Sequence, residues 1–143
     1  MTLLENKDLL HRLYDAVYNA GDLDLLDRIL APDFVDHDPQ PTQTPDAAGL
    51  RATIAELRAA FPDLYVDIED LLAERDEVAS RLILSGTHRG VYRGIGATGR
   101  FVQVPGMELV RIRDGAIAER WGFWREHLLL QQLGVGVEEW AVD

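Results

Sequence analysis

Residues 101–124 have the sequence FVQVPGMELVRIRDGAIAERWGFW, and this stretch decides the fold. It is rich in β-branched, aliphatic and aromatic residues, which favour extended strands. Asp114-Gly115, near its middle, is a dipeptide that strongly favours a two-residue hairpin turn. We therefore predict two antiparallel strands, Phe101–Arg113 and Ala116–Trp124, joined by this turn.

Two further strands are predicted before this hairpin. Residues 64–73 and 78–88 share its aliphatic and β-branched composition, and residues 74–77 between them are turn-like. A glycine-rich connection, residues 90–99, leads to the strand that begins at Phe101. The second half of the chain is therefore expected to form an antiparallel sheet of consecutive strands.

Helical periodicity dominates the first half of the chain. Apolar residues at spacings of three and four predict a helix over residues 4–19, a short helix after Asp22 and a third over residues 46–61. A short strand is predicted over residues 34–38, between the second and third helices. The same periodicity returns at the end of the chain and predicts a last short helix over residues 126–133.

The order of these elements predicts an α+β fold. Helices from the first half would cover one face of a curved antiparallel sheet from the second half. At 143 residues the chain has the length of one domain with a single hydrophobic core, and no repeat or linker divides it. We expect one domain over residues 1–143.

Composition excludes several classes of function. The chain has no cysteine, which excludes disulfides, thiolate nucleophiles and cysteine-ligated zinc. Its formal net charge of −11 opposes binding to nucleic acid or to an anionic membrane surface. The N-terminus lacks a secretory signal pattern, and no apolar run approaches membrane-spanning length. We expect a cytoplasmic protein whose partner is a small hydrophobic molecule or a second copy of itself.

Alternation along the last predicted strand indicates which side chains face the interior. The bulky, mostly apolar set that is predicted to point inward is Ile117, Glu119, Trp121, Phe123 and Arg125. Charged groups on such a face need partners, because burying an unpaired charge is costly. Two interpretations are open. Glu119 and Arg125 form structural ion pairs or reach solvent at a strand end, or Arg125 lies in a pocket and stabilises an enolate or carboxylate.

Two histidines have surroundings suited to proton transfer. His37 lies between Asp36 and Asp38, and His88 lies at the predicted end of a strand. Neighbouring carboxylates favour a protonated imidazole, which can serve as a general acid or base. A metal site at residues 36–38 is not expected, because adjacent strand residues point in opposite directions and no His-x-x-x-His pair supports it.

The chain resembles the SnoaL-like polyketide cyclase (ester cyclase) family, within the nuclear-transport-factor-like (NTF2-like) α+β cone superfamily. The segments that carry the resemblance follow the family's order over almost the whole chain. They are NAGD at 19–22, LL at 25–26, LAPDFVDHDP at 30–39, FPDL at 61–64, GTHRG at 86–90, ATGR at 97–100, RIRDG at 111–115 and LLQQLG at 129–134. The resemblance implies a cone with an internal pocket. It also implies closure of an aromatic polyketide ring by intramolecular aldol condensation, with no metal and no cofactor.

In this family the general acid/base is an aspartate four residues after the tryptophan of the last strand. Trp121 matches that tryptophan, and the position of the aspartate is Arg125, which cannot accept a proton at a working pH. We therefore assign proton transfer to His37 or His88 and oxyanion binding to Arg125. Glu126 could substitute only if the start of the helix turned it inward. The predicted substrate contacts are Tyr14, Phe34, Met107, Trp121 and Phe123.

Three functions are compatible with these features. The first is a cofactor-free cyclase, lyase or isomerase that acts on a small hydrophobic carbonyl substrate. The second is a non-catalytic binder of a hydrophobic acidic metabolite, which Arg125 would hold. The third is an interaction domain whose sheet mainly supports a homodimer. The resemblance favours the first function, and the replacement of the aspartate by Arg125 favours the second.

Overall fold

The computed structural model describes residues 2–135. Its helices are α1 (Leu3–His11), which continues as a π-helical segment (Arg12–Asn19), and then α2 (Leu23–Ile29), α3 (Ala47–Ala60) and α4 (Glu126–Gln132). Its strands are β1 (Leu30–Asp36), β2 (Tyr65–Glu74), β3 (Glu77–Thr87), β4 (Phe101–Arg113) and β5 (Ala116–Trp124). Within this range, no helix has both the length and the apolar character needed to cross a bilayer.

The five strands form one curved sheet in the order β1-β5-β4-β3-β2, and the α+β prediction is confirmed. The pairs β2–β3, β3–β4 and β4–β5 are antiparallel, and the β4–β5 hairpin has the predicted bounds. The expectation of a wholly antiparallel sheet is wrong, because β1 pairs with β5 in parallel. A long connection through α3 and three strands separates β1 from β5, so no hairpin forces them to be antiparallel.

The N-terminal helix begins at a capping box. The side chains of Thr2 and Glu5 each accept a hydrogen bond from the other residue's backbone N–H. After His11 the helix widens into the π-helical segment, a conformation that is frequent at functional sites. This segment buries Tyr14 and Tyr18. The helix predicted for this region is confirmed, and its second half is wider than a regular α-helix.

The hydrophobic core lies between the helices and one face of the sheet. Strand β4 alternates strictly, and every second residue from Val102 to Ile112 is buried. Glu108 is the only charged residue on that buried face of β4. The opposite face of the sheet is open, and there Met107 is 54% exposed and Phe123 is 76% exposed.

A β-bulge interrupts the alternation of β5. Arg111 lies opposite Glu119, but the next residue, Ile112, lies opposite Ile117. Ala118 is therefore an extra residue in β5 and has no partner in β4.

The bulge reverses the predicted orientation of the following side chains. Arg120 and Trp124 point to the helix-covered side, where Arg120 is only 8% exposed, whereas Phe123 points to the open face. Ile117 is buried, as predicted, because it precedes the bulge. The residues for which the inward assignment is wrong are Glu119, Trp121, Phe123 and Arg125.

Replacement of Gly106 tests this orientation. Gly106 lies opposite Trp124, and a Cβ atom at Gly106 would lie 2.2 Å from the indole ring. We expect Gly106→Ala to displace the ring and to lower the free energy of unfolding by about 1–3 kcal/mol, measured by urea denaturation. Gly96→Ala is the control, because a Cβ there meets open space. Equal stability of the two variants would contradict the inward position of Trp124.

Candidate functional site

A narrow cavity opens between α3, α4 and the helix-covered face of the sheet. Its accessible volume is about 60 Å³, enough for a few small groups. Its apolar walls come from two helices and three strands, and they are formed by Leu50, Leu57, Leu84, Val104, Trp124 and Leu129.

The floor of the cavity is a buried ionic network centred on Arg120. Its Nη2 atom lies 2.5 Å from Oε2 of Glu108, and its Nη1 atom lies 2.9 Å from Oδ1 of Asp36. Glu108 also accepts hydrogen bonds from the Tyr14 hydroxyl (2.7 Å) and from the Trp124 indole N–H (3.0 Å). The guanidinium of Arg120 is therefore held at a fixed position by Glu108 and Asp36.

Both central members of this network are charged at neutral pH. Burial raises the pKa of Glu108, but the charge of Arg120 and hydrogen bonds from Tyr14 and Trp124 outweigh burial, so this pKa lies below its ordinary value. Burial lowers the pKa of Arg120, but the negative charge of Glu108 and other neighbouring groups raises it by more. The net result is a pKa above the ordinary value for arginine. The cavity thus has a permanently protonated guanidinium in its floor.

Tyr18 presents a phenol with no partner to this cavity. Its side chain is 5% exposed and lines the cavity, and its hydroxyl makes no hydrogen bond to any residue between positions 2 and 135. Burial, and after it the negative charge of Glu108, raises the pKa of Tyr18 well above its ordinary value. The hydroxyl therefore stays protonated and can donate a hydrogen bond to a ligand.

Two carboxylates also line the cavity. Glu126 Oε1 accepts a hydrogen bond from the Tyr92 hydroxyl (2.8 Å) and lies 3.1 Å from Arg93 Nη1. Asp38 Oδ2 accepts a hydrogen bond from the backbone N–H of Gly122 (2.9 Å). The second oxygen of each carboxylate has no hydrogen-bond partner in the described part of the chain. The start of α4 does turn Glu126 inward.

The segment that carries Asp38 is fixed by the side chain of Gln43. Its amide N–H donates to Asp36 (2.8 Å), and its amide oxygen accepts from the Thr53 hydroxyl (2.7 Å) and from the backbone N–H of Gln40 (3.1 Å). These bonds tie the segment to α3 and to the ionic network at the same time.

The structure places His37 outside the cavity, on the open face of the sheet. Its Nε2 atom lies 3.0 Å from Glu119, and its ring stacks on Trp121 with 4.4 Å between ring centroids. Arg111 pairs with the other oxygen of Glu119 at 3.1 Å. His37, Glu119 and Trp121 thus form a surface cluster that is separate from the cavity.

His88 is fully buried and does not line the cavity. The backbone N–H of Thr98 donates to its Nδ1 atom at 3.2 Å, and the Thr98 hydroxyl lies 3.0 Å from the same atom. Its backbone N–H donates to Arg100, and its carbonyl accepts from Gly99. The ring therefore holds the segment between β3 and β4 in place.

The other predicted site residues are also outside the cavity lining. Arg125 is exposed at the start of α4, and Met107 and Phe123 are exposed on the open face. Phe34 is buried in the core, and Tyr14 belongs to the network below the floor. The fold therefore does not bring the predicted site residues together in the cavity. The catalytic and binding roles assigned to them stay predictions.

Sequence reasoning missed Tyr18, Asp38, Arg120 and Trp124 as cavity residues. One signal pointed to Arg120. Glu108 interrupts an otherwise apolar alternation in β4, and a carboxylate on such a face needs a cation on a neighbouring strand. No local sequence pattern identifies Tyr18 or Asp38 as a cavity residue, because the cavity joins parts of the chain that are far apart in sequence.

The chain matches the family model for SnoaL-like polyketide cyclases over residues 8–133. Aklanonic acid methyl ester cyclase DauD of Streptomyces sp. (strain C5) is 32% identical, over 89% of this chain and 80% of that protein. TsrD from Streptomyces laurentii superposes with a TM-score of 0.85 at 30% identity, covering 94% of this chain and 98% of that one. Wild-type IdmH from Streptomyces antibioticus has a TM-score of 0.79 at 33% identity, with 91% and 99% coverage.

Neutralising Glu108 tests the ionic network. Glu108→Gln leaves Arg120 buried with part of its charge uncompensated, so we expect the free energy of unfolding at neutral pH to fall by about 3–5 kcal/mol. Glu119→Gln is the control, since it removes a carboxylate from the exposed cluster and should change stability by about 1 kcal/mol or less. Urea denaturation of both variants measures the difference, and similar losses would contradict a special role for the buried pair.

The lowered pKa of Glu108 also determines how the free energy of unfolding depends on pH. Because the folded pKa of Glu108 is below its ordinary value of 4.5, the unfolded chain takes up the proton first as the pH falls. The stabilisation is therefore present above that ordinary value and is lost as the pH drops through the folded pKa. We expect the wild-type protein to lose stability more steeply than Glu108→Gln below the ordinary carboxyl pKa, in urea titrations at a series of acidic pH values.

Proposed function

The chain belongs to the SnoaL-like polyketide cyclase family, and we propose that it closes a ring on a small hydrophobic carbonyl compound by acid/base chemistry. The reaction is of the aldol cyclase or isomerase type. The observation that carries this proposal is the lining of one narrow apolar cavity, where a protonated phenol and a buried guanidinium occur together with two carboxylates. These are the groups that enolate chemistry needs.

In this proposal Tyr18 activates the substrate carbonyl. Its hydroxyl has no competing partner in the described part of the chain, and burial keeps it protonated. Arg120 also lines the cavity, and its charge is compensated by Glu108 and Asp36. The Tyr18 hydroxyl can donate a hydrogen bond to the enolate oxygen and so stabilise negative charge as it develops there.

Glu126 is the proposed general base. Tyr92 and Arg93 hold one of its oxygens and leave the other free to take a proton from carbon. Its side chain is 30% exposed, which makes it better enclosed than Asp38. It also directly follows Arg125, the position where the family resemblance implies an acidic residue.

The proposed reaction conserves every atom of the substrate. Glu126 takes a proton from a carbon next to a carbonyl group, and the resulting enolate carbon attacks a second carbonyl carbon of the same molecule. One C–C bond forms, and the new alkoxide receives the proton that Glu126 took, either directly or through Tyr18, which gives its own proton and is reprotonated by Glu126. The apolar walls hold the two reacting carbons close together, which supplies part of the rate enhancement. The product is an isomer of the substrate with the same mass.

The charges around the cavity favour a neutral substrate over an acidic one. Arg120 is already paired with Glu108 and Asp36, and Glu126 and Asp38 add further negative charge. A free carboxylate on the ligand would meet this negative potential, whereas an ester would not. The substrate in the name of the Streptomyces relative is a methyl ester, which agrees with this argument. Binding of an acidic metabolite is correspondingly less well supported.

Glu126→Gln tests the proposed base. Turnover of aromatic polyketide methyl esters, beginning with aklanonic acid methyl ester, is followed by chromatography and mass spectrometry as formation of an isomer of equal mass. We expect Glu126→Gln to lower kcat by roughly 10²-fold or more, because the amide cannot accept the proton. Asp38→Asn is the matched control and should stay within about tenfold of wild type. The reverse pattern would assign the base to Asp38.

Tyr18→Phe tests the proposed hydrogen-bond donor. We expect kcat to fall by about 10²-fold with little change in KM, because the donor acts mainly on the developing enolate. The melting temperature should stay close to that of wild type, since the hydroxyl bonds to no described residue. Tyr14→Phe is the comparison, because it removes a bond to Glu108 and should lower the melting temperature. An unchanged kcat in Tyr18→Phe would contradict this role.

A further inference from the structure

The two side chains that hold Glu126 come from one short turn outside α4. Tyr92 and Arg93 lie in the segment between β3 and β4, and both reach Oε1 of Glu126, at 2.8 Å and 3.1 Å. Burial raises the pKa of Tyr92, so its hydroxyl stays protonated and remains a donor. The orientation of the proposed base therefore depends on a distant part of the chain.

Helix α4 does not fix the direction of the Glu126 side chain by itself. Glu126 is the first residue of this helix, which has seven residues and no side-chain hydrogen bond at its N-cap. Only Leu129 is buried among those seven residues. Short helices without a cap are marginally stable, and their first turn has backbone N–H groups without helical partners. Glu126 thus needs contacts from outside α4 to hold one orientation.

The segment that carries Tyr92 and Arg93 is firmly anchored. The backbone N–H groups of Arg89 and Gly90 both donate to the carbonyl oxygen of Ala60, at the end of α3 (2.9 and 3.1 Å). A Cβ atom at Gly90 would lie 2.5 Å from the backbone of that helix, so the segment lies directly on it. The Tyr92 ring is buried and packs against Phe61, with 5.7 Å between ring centroids. This anchoring suits the segment to orient another side chain.

The backbone conformation of Arg93 is unusual for arginine. Tyr92 and Ile95 pair with each other, and between them Arg93 has a φ of 47° and Gly94 a φ of 78°. Two central residues with positive φ are typical of a type I′ turn, whose first position favours Asn, Asp or Gly. Asp114, with a φ of 51°, occupies that position in the β4–β5 turn. An arginine in this conformation is disfavoured by its backbone, which indicates that its side chain has a use.

We propose that Arg93 is a positioning residue for Glu126. The turn brings its guanidinium to the carboxylate, where with Tyr92 it fixes one oxygen and leaves the other free to accept the substrate proton. A cation at this distance also favours the charged form of the carboxylate, which is the form that acts as a base. This inference rests on the proposed function in taking Glu126 as the general base.

Arg93→Asn separates positioning from a purely structural role. Asparagine adopts a left-handed conformation more readily than arginine, and a partly exposed ion pair contributes little to stability, so the melting temperature should stay within about 4 °C of wild type. We expect kcat for aklanonic acid methyl ester to fall about tenfold, because the base is no longer held in place. KM should stay within about twofold, because Arg93 does not line the cavity. A purely structural residue would lower the melting temperature without this selective loss of kcat.

Arg75→Asn is the matched control. Arg75 lies in the turn between β2 and β3 with a φ of 55°, and it does not line the cavity. The same replacement in the same backbone conformation should leave kcat unchanged. Arg93→Lys keeps the positive charge and should recover kcat to within about threefold of wild type. In Arg93→Asn the acidic limb of the pH profile of kcat should move to higher pH, because loss of the cation makes the carboxylate easier to protonate.

The outcomes distinguish this inference from the proposed function. If Glu126→Gln is inactive but Arg93→Asn keeps the kcat and pH profile of wild type, the positioning role is overturned and the proposed base stands. If Glu126→Gln is fully active, both are overturned.

Hydrogen exchange followed by mass spectrometry tests the positioning without turnover. Amides of residues 126–132 should exchange faster in Arg93→Asn than in wild type, and Arg75→Asn should leave them unchanged, because only Arg93 holds the start of α4. If the wild-type protein forms no isomer, the proposed reaction is overturned and this measurement decides whether Arg93 orients Glu126. Equal exchange in all three proteins would overturn that orientation.

Discussion

The buried guanidinium of Arg120 is the constraint on which the rest of the structure depends. Its pairs with Glu108 and Asp36 join β5 to β4 on one side and to β1 on the other. Tyr14 and Trp124 complete the hydrogen bonds of Glu108 and so connect the π-helical segment and the end of β5 to the same group. Buried charges are tolerated only when they are fully paired, so this network permits one arrangement of these elements.

The same network determines what the cavity can do. Because Glu108 and Asp36 compensate the guanidinium, Arg120 lines the cavity without making it an anion-binding site. Asp38 and Glu126 can therefore act as carboxylates above it, where a free cation would otherwise pair with them. An apolar cavity that holds a hydrogen-bond donor, a compensated cation and a carboxylate is suited to neutral carbonyl compounds.

The sequence predicted the elements better than it predicted the site. The β4–β5 hairpin has the predicted bounds because Asp114-Gly115 dictates the turn and the flanking residues favour strands. The family resemblance predicted an internal pocket but not its lining, since Asp38 and Tyr92 come from two separate connections and Glu126 from the start of α4, and only the fold brings them together. His88 illustrates the limit of local patterns, because its ring serves to hold Thr98 and lies outside the cavity.

The bulge at Ala118 is the feature that misled the prediction, and charge pairing explains why it forms. A regular hairpin from the same turn would place Glu108 on one face with Glu119, two carboxylates side by side against the core. One extra residue in β5 shifts the register, moves Glu119 to the open face and brings Arg120 beside Glu108. Burying like charges is far less favourable than burying an ion pair, so the sequence selects the bulge through residues beyond it. The orientation of β5, and with it the cavity, therefore follows from the position of one glutamate in β4.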